Sequence, residues 1–233
     1  MGAGIAKLLN ANNYRVLTNV SDRSPASASR MAEDFASTAI RFIDGGIIGP
    51  APKIQESGSF TTPSLVVSGP HKLEDAPASG AHFADILNIN HIADTIGPAS
   101  GLKMCFASTT KGLTAIAIQA FTTAHNLGVL RQLQSHLGKF SPKTGELIAK
   151  GLVGMPPKAY RWVDEMKEIA ETLHDEGGFE KGIFEGVSEV YRIVAEETEL
   201  GEESTEDTRL GKSAEDVARV MAKGMEKRKL KSE

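Results

Sequence analysis

Residues 97–112 read Gly-Pro-Ala-Ser-Gly-Leu-Lys-Met-Cys-Phe-Ala-Ser-Thr-Thr-Lys-Gly. A short apolar run precedes them, and the longest helical pattern of the chain opens within them. Small residues crowd the first turn, so a second backbone or a ligand can come close. A single lysine, Lys103, then projects from the first full turn. An amine at a seam between two structural units loses hydration, which lowers its pKa towards the range in which it exchanges protons. The plainer alternative is a solvated lysine on a helix surface, the usual place for that side chain.

Other chemistry-bearing residues are weaker. Ser100-Gly-Leu-Lys103 is an S-x-x-K and Lys143-Thr144-Gly145 a K-T-G, a pair used by penicillin-recognising serine hydrolases. The spacing of about 40 residues is too short for that site, and the K-T-G falls between helices rather than on a strand. The six histidines form no H-E-x-x-H or His/Cys pairing, so a metal site has no support. Lys111 lies two turns beyond Lys103 and could serve an anionic substrate; a solvated charge is the favoured reading. Asp164 and Glu165 read as helix-surface charges, and Cys105 as a small core residue rather than a nucleophile.

The lysine segment resembles the signature of the β-hydroxyacid dehydrogenases, the superfamily that includes 6-phosphogluconate dehydrogenase: a glycine pair, a few residues, then the catalytic lysine at the start of a long interdomain helix. Two further blocks agree. Arg41-Phe-Ile-Asp-Gly-Gly-Ile-Ile-Gly-Pro50 is similar to the family's F-x-D-A-P-V-S-G-G substrate loop, and Ser64-Leu-Val-Val-Ser-Gly69 to the strand before the last Rossmann helix. The Lys-Met-Cys and Lys-Gly pieces and Tyr160-Arg-Trp-Val-Asp-Glu-Met166 are most similar to an uncharacterised subgroup. The resemblance covers nearly the whole chain and is weaker beyond Leu200.

It implies an NADP- or NAD-dependent oxidoreductase acting on the CH–OH group of a small hydroxy acid or related substrate, with Lys103 as catalytic acid/base. It puts Gly46, Ile48, Gly49, Ser100 and Gly101 at the substrate, and Gly2, Arg23 and Ser24 at the cofactor. It also implies a homodimer formed through the helical half. Two positions depart from the family pattern. Ile48 stands where the substrate loop has a serine, and Phe106 or Ala107 where an asparagine comes after the lysine. Both changes disfavour a typical 3-hydroxyacid carboxylate. Met1-Gly-Ala-Gly4 resembles the later part of the dinucleotide turn, beyond its first two glycines, with Gly2 as the third. Asp22-Arg23 then runs directly into Ser24-Pro25. Arg23 and Ser24 match the pair that reads a 2′-phosphate, but they also abut a helix start, and both readings stay open. An incomplete Rossmann domain that binds NAD(P) weakly is expected. The competing functional reading is a catalytically dead remnant whose helical half dimerises or binds a partner.

Periodicity gives the elements that must position these residues. Residues 1–98 are expected to form the incomplete α/β Rossmann-like domain, and 99–233 an all-α domain like the C-terminal domain of 6-phosphogluconate dehydrogenase. The first part alternates: helix over 2–10, strand over 14–20, helix from Ser24-Pro25 to about 39, strand over 41–44, a loop over 45–63, strand over 65–68, helix over 82–87 and strand over 92–96. Such alternation suggests a parallel sheet. Helices are expected over 100–127, 130–137, 144–152, 158–174, 180–197 and 213–225, the last with Ser213 as N-cap. The acidic stretch 196–207 reads as a solvated loop and 226–233 as a charged tail.

At 233 residues the chain can bury a real core. Its net charge of −4 gives no electrostatic case for nucleic acid. One cysteine excludes an internal disulfide. No apolar run reaches the roughly 18 residues that span a bilayer, and no secretory leader is visible, so no membrane association and a cytoplasmic location are expected.

Overall fold

The β-branched residues Val66 and Val67 favour extended backbone, and they lie buried at the centre of the sheet. The computed structural model describes residues 5, 8, 9, 11, 12, 41–204 and 209–232. The strands are β1 (Asp44–Ile48), β2 (Lys53–Ile54), β3 (Phe60–Thr61), β4 (Ser64–Ser68) and β5 (Ile89–Ala93). The helices are α1 (Gly80–Ile86), α2 (Pro98–Asn126), α3 (Leu130–Phe140), α4 (Pro142–Gly154), α5 (Ala159–Asp175), α6 (Gly182–Glu197) and α7 (Ala214–Ser232). Contacts divide the chain into two compact units, Met1–Phe106 and Ala107–Glu233. The first two turns of α2 therefore belong with the sheet. The helix, strand and helix expected before residue 41 fall largely outside the described residues.

In the first unit β4 is the middle strand, in the order β1-β4-β5. It pairs antiparallel with β1 and parallel with β5. The expected parallel sheet is thus mixed. The reason lies in residues 45–63, expected to be a loop. Gly45 and Gly46 continue β1 and pair with Val67 and Val66, and a hairpin of β2 and β3 returns the chain to β4. Strand interiors normally avoid glycine, so the pair reads as a break unless something must approach the strand closely. The parallel β4–β5 pair is joined through α1, as a parallel connection requires. β5 starts earlier than the expected 92–96, because alternation of inward and outward residues begins at Ile89.

The second unit is helical. Leu152, Met155, Met166, Ile169, Tyr191, Val194, Leu200 and Val217 are buried in it. α4 begins at Pro142, two residues before the expected Thr144, with proline in the first turn where its missing N–H costs nothing. α5 ends at a left-handed Gly178 (φ 72°), and the Phe179 N–H returns to the Leu173 carbonyl. The acidic stretch is not wholly solvated. Residues 199–202 form a 3-10 turn, and the buried Glu203 accepts from the N–H groups of Arg209 (2.8 Å) and Leu210 (2.5 Å).

Ser213 caps α7 as expected, its Oγ accepting from the Asp216 N–H at 3.1 Å. The helix continues well past Met225, through most of the expected charged tail. Three of its cations bridge to carboxylates outside the helix. Arg228 reaches Glu189 (3.3 Å) and Glu197 (3.5 Å), while Lys223 and Lys227 reach Glu199 (2.6 and 3.7 Å). Arg192 on α6 joins the same carboxylates, Glu189 at 2.7 Å and Glu197 at 2.6 Å. Gly224 lets α7 lie close, since a Cβ there would stand 2.7 Å from Thr198 Cγ2.

The Arg192 guanidinium, and Arg228 after it, hold the Glu189 carboxyl down at about 2. A depressed folded-state value means the network stabilises above the ordinary carboxylate value of 4.5 and fades as pH falls from there towards 2. Thermal melts in acid should therefore show the wild-type midpoint dropping across that window, with a smaller drop for Arg192→Ala. Equal pH dependence for the two proteins would contradict the network's role.

Candidate functional site

Alternate residues of a strand share a face, so Asp44 and Gly46 of β1 point the same way and Gly45 points the other. Both meet the start of α2. Asp44 is 3% exposed. Its Oδ2 accepts from Ser68 Oγ (3.1 Å), the Gly97 N–H (3.2 Å) and the Ser100 N–H (3.0 Å). Its Oδ1 accepts from Ser100 Oγ at 2.5 Å. Ser68, at the end of β4, accepts the Ala99 N–H at 3.0 Å. The first intrahelical bond then runs from the Gly101 N–H to the Gly97 carbonyl. N–H groups that a helix start leaves open are thus filled by side chains of two strands. A carboxylate there also meets the positive end of the helix dipole. Hydrogen bonds to a charged group contribute about 1.5–3 kcal/mol each.

At Gly46 the helix comes close to β1. A Cβ at this position would stand 3.0 Å from Lys103 Cβ, 3.2 Å from the Ala99 carbonyl oxygen and 3.6 Å from Lys103 Cδ. The half-buried Lys103 stem thus runs beside bare strand backbone. The three expected residues Gly46, Ser100 and Lys103 come together here, with Gly101 in the same turn. Ser100, expected to line a substrate pocket, is 2% exposed and its hydroxyl donates a hydrogen bond to Asp44, so its polar group is already committed. Ile48 sits at the far end of β1, paired with Ser64. Gly49 comes next with φ +116° against Pro63, a backbone conformation that calls for glycine. Gly2, Arg23 and Ser24 lie outside the described residues. Cys105 is exposed, not in the core. Leu102 and Phe106 on the same helix are also 42% and 47% exposed.

Sequence reasoning misses Asp44 and Ser68. A signal is present: Asp44 stands two residues before Gly46 in an extended run, and Ser68 ends the neighbouring strand. Local pattern does not show that both side chains turn to a helix start more than 25 residues away in sequence.

Lys111 and Glu165, in the second unit, also differ from expectation. Neither is a solvated surface charge. The Lys111 ammonium pairs with the Glu165 carboxylate, which is only 4% exposed. The same ammonium stands 4.9 Å above the Trp162 ring. Trp162 meets Tyr191 edge-on at 5.1 Å, and the Tyr191 hydroxyl donates to the Lys111 carbonyl at 2.6 Å. Burial, with the Glu165 charge second, pushes the Tyr191 phenol up. With Glu165 as its counter-ion, Lys111 is built into a packed helix junction, where losing one partner leaves a charge uncompensated. Asp164 does lie on the surface, paired with Lys167.

Among the described residues no group of three or more His, Cys, Asp and Glu side chains could hold a metal ion. No helix among them is long and apolar enough to cross a membrane. A dinucleotide phosphate is commonly held at a helix N-terminus beside a sheet. At the start of α2 that place is filled by the Asp44 carboxylate. The residues expected to meet the cofactor are Gly2, Arg23 and Ser24, outside the described residues.

Residues 124–194 match the family DUF1932, a domain of unknown function. The fold is shared with a conserved hypothetical protein from Sinorhizobium meliloti 1021, at 21% identity and a TM-score of 0.65 over 95% of this chain and 72% of that one. It is also shared with the conserved protein MTH1747 of unknown function, described as structurally similar to 3-hydroxyacid dehydrogenases, at 21% identity and a TM-score of 0.55 over 83% of this chain and 72% of that one. No curated protein matches the chain. The chain thus shares the fold of these two proteins, a small sheet followed by a mostly helical region.

The contact at Gly46 gives a direct check. Gly46→Ala should destabilise the chain by about 1–3 kcal/mol, the usual cost of overpacking, because its methyl group meets the Ala99 carbonyl and the Lys103 stem. Gly45→Ala meets only Val67 and Val66 at 3.4–3.5 Å and should cost less. Urea unfolding of the two variants measures the difference; equal stability would refute the close approach.

Proposed function

We propose that this chain is an NAD(P)-dependent oxidoreductase of the β-hydroxyacid dehydrogenase type, acting on the CH–OH group of a small hydroxy acid or related compound. The observation that carries the reading is the placement of Lys103 on the first turns of α2, with its stem against Gly46 and the helix start held by Asp44. The dehydrogenase-like fold supports it. In alcohol oxidation the neutral Lys103 Nζ takes the hydroxyl proton, and in the reverse direction the ammonium returns it to the forming alkoxide. The carbinol hydride is what a nicotinamide cofactor, NADP or NAD, serves to accept.

Lys103→Ala should lower turnover by about two to four orders of magnitude, the usual worth of a general acid/base. The measurement is the rise of reduced-nicotinamide absorbance with NADP+ or NAD+ supplied in excess and a panel of small hydroxy acids. Undiminished turnover in the variant would sink the assignment.

The proposal includes a homodimer formed through the helical unit, and one surface feature favours it. Ile116, Ala120, Leu127, Val129 and Leu133 line a groove of about 560 Å³ along α2 and the start of α3. Ile116 and Leu127 are 61% and 71% exposed. Contiguous apolar surface of this kind marks an interaction site, and a second copy is the occupant the reading calls for. Sedimentation at micromolar concentration should give a dimer that Leu127→Glu converts to a folded monomer. A wild-type monomer would remove this part of the proposal.

A further inference from the structure

Asp44, Ser68 and Ser100 form a buried cluster that plain helix capping does not require. One side-chain oxygen from the residue just before a helix is enough to cap it. Here three side chains, at most 3% exposed, arrive from β1, β4 and the helix itself. The carboxylate is 53 residues before the nearest N–H it receives. Its named partners are all neutral donors. A buried carboxylate is tolerated only while such donors stay in place. Sliding α2 by one residue, about 1.5 Å with a turn of about 100°, would remove both Ser100 bonds at once.

Lys103 lies three residues after Ser100, one turn along the same side of the helix. Gly46 lies two residues after Asp44 on the same face of β1, against the Lys103 stem. The two pairs work together: Asp44 with Ser100 sets where the lysine starts, and Gly46 sets the path of its stem.

We infer that Asp44, Ser68 and Ser100 are positioning residues that fix the rotation and height of α2 and so the location of the Lys103 amine. The value of that location rests on the proton-transfer reading proposed above, but the positioning itself can be measured without any substrate.

The test uses the full chain with its lysines reductively methylated with ¹³C, which keeps their charge. The Lys103 signal is assigned by its loss in Lys103→Arg. Ser100→Ala, Ser68→Ala and Asp44→Asn should each shift or broaden that signal while those of Lys143, Lys150 and Lys167 stay in place. Ser100→Thr, which keeps the hydroxyl, should restore it. If Asp44→Asn does not fold, the two serine variants carry the test. Lower unfolding midpoints with the Lys103 signal unmoved would overturn the inference and leave a purely structural clamp. A moved signal together with full turnover in Lys103→Ala would support the positioning and defeat the catalytic reading, so the two claims fail separately.

Discussion

A carboxylate shut away from water must be solvated by the protein, and Asp44 is solvated by the beginning of a helix. That requirement organises the first unit. It needs β4 alongside β1 so that Ser68 can reach it. It needs the chain to turn at Gly97 (φ 114°) so that the N–H groups of residues 97 and 100 converge on one oxygen. It needs no side chain at position 46, because a helix held this close leaves no room for one. The mixed sheet, the glycine at position 46 and the small residues at 99–101 are consequences of one constraint. Lys103 stands one turn along the helix from Ser100.

The helical unit answers the same electrostatic problem differently. The half-buried Lys111 pairs with the buried Glu165 and stands over the Trp162 ring, so each charge compensates the other. On the surface, Arg192 and Arg228 share Glu189 and Glu197 between two helices. These exposed pairs are individually weak and screened by salt. As a network they account for a last helix that runs on through residues whose composition reads as a tail.

Much of the fold is legible in the sequence because it rests on local rules. The long helix, its lysine, the five later helices and the Ser213 cap come from apolar spacing and from residues that start and stop helices. What does not show in the sequence is non-local. Gly45 and Gly46 look like a loop until Val66 and Val67 pair with them. Glu165 looks like a surface charge until Lys111, on another helix, is seen against it. Glu203 sits in an acidic run, and only the return of the chain at residues 209–210 explains its burial. The family resemblance locates the lysine turn and the Asp44–Gly46 strand but gives the strand a role at the substrate. The structure shows that strand first as the seat of the helix.

Amide hydrogen exchange at Ala99 and Ser100 tests the anchoring of the helix most directly. N–H groups in the first turn of a helix ordinarily lack intrahelical partners and exchange readily. Here both are bonded to buried side chains. They should exchange within about tenfold of the rates of Val66 and Val67 in the middle strand, as members of the same cooperative unit. Exchange at the rate of an open helix terminus would contradict the claim that a buried carboxylate anchors the helix.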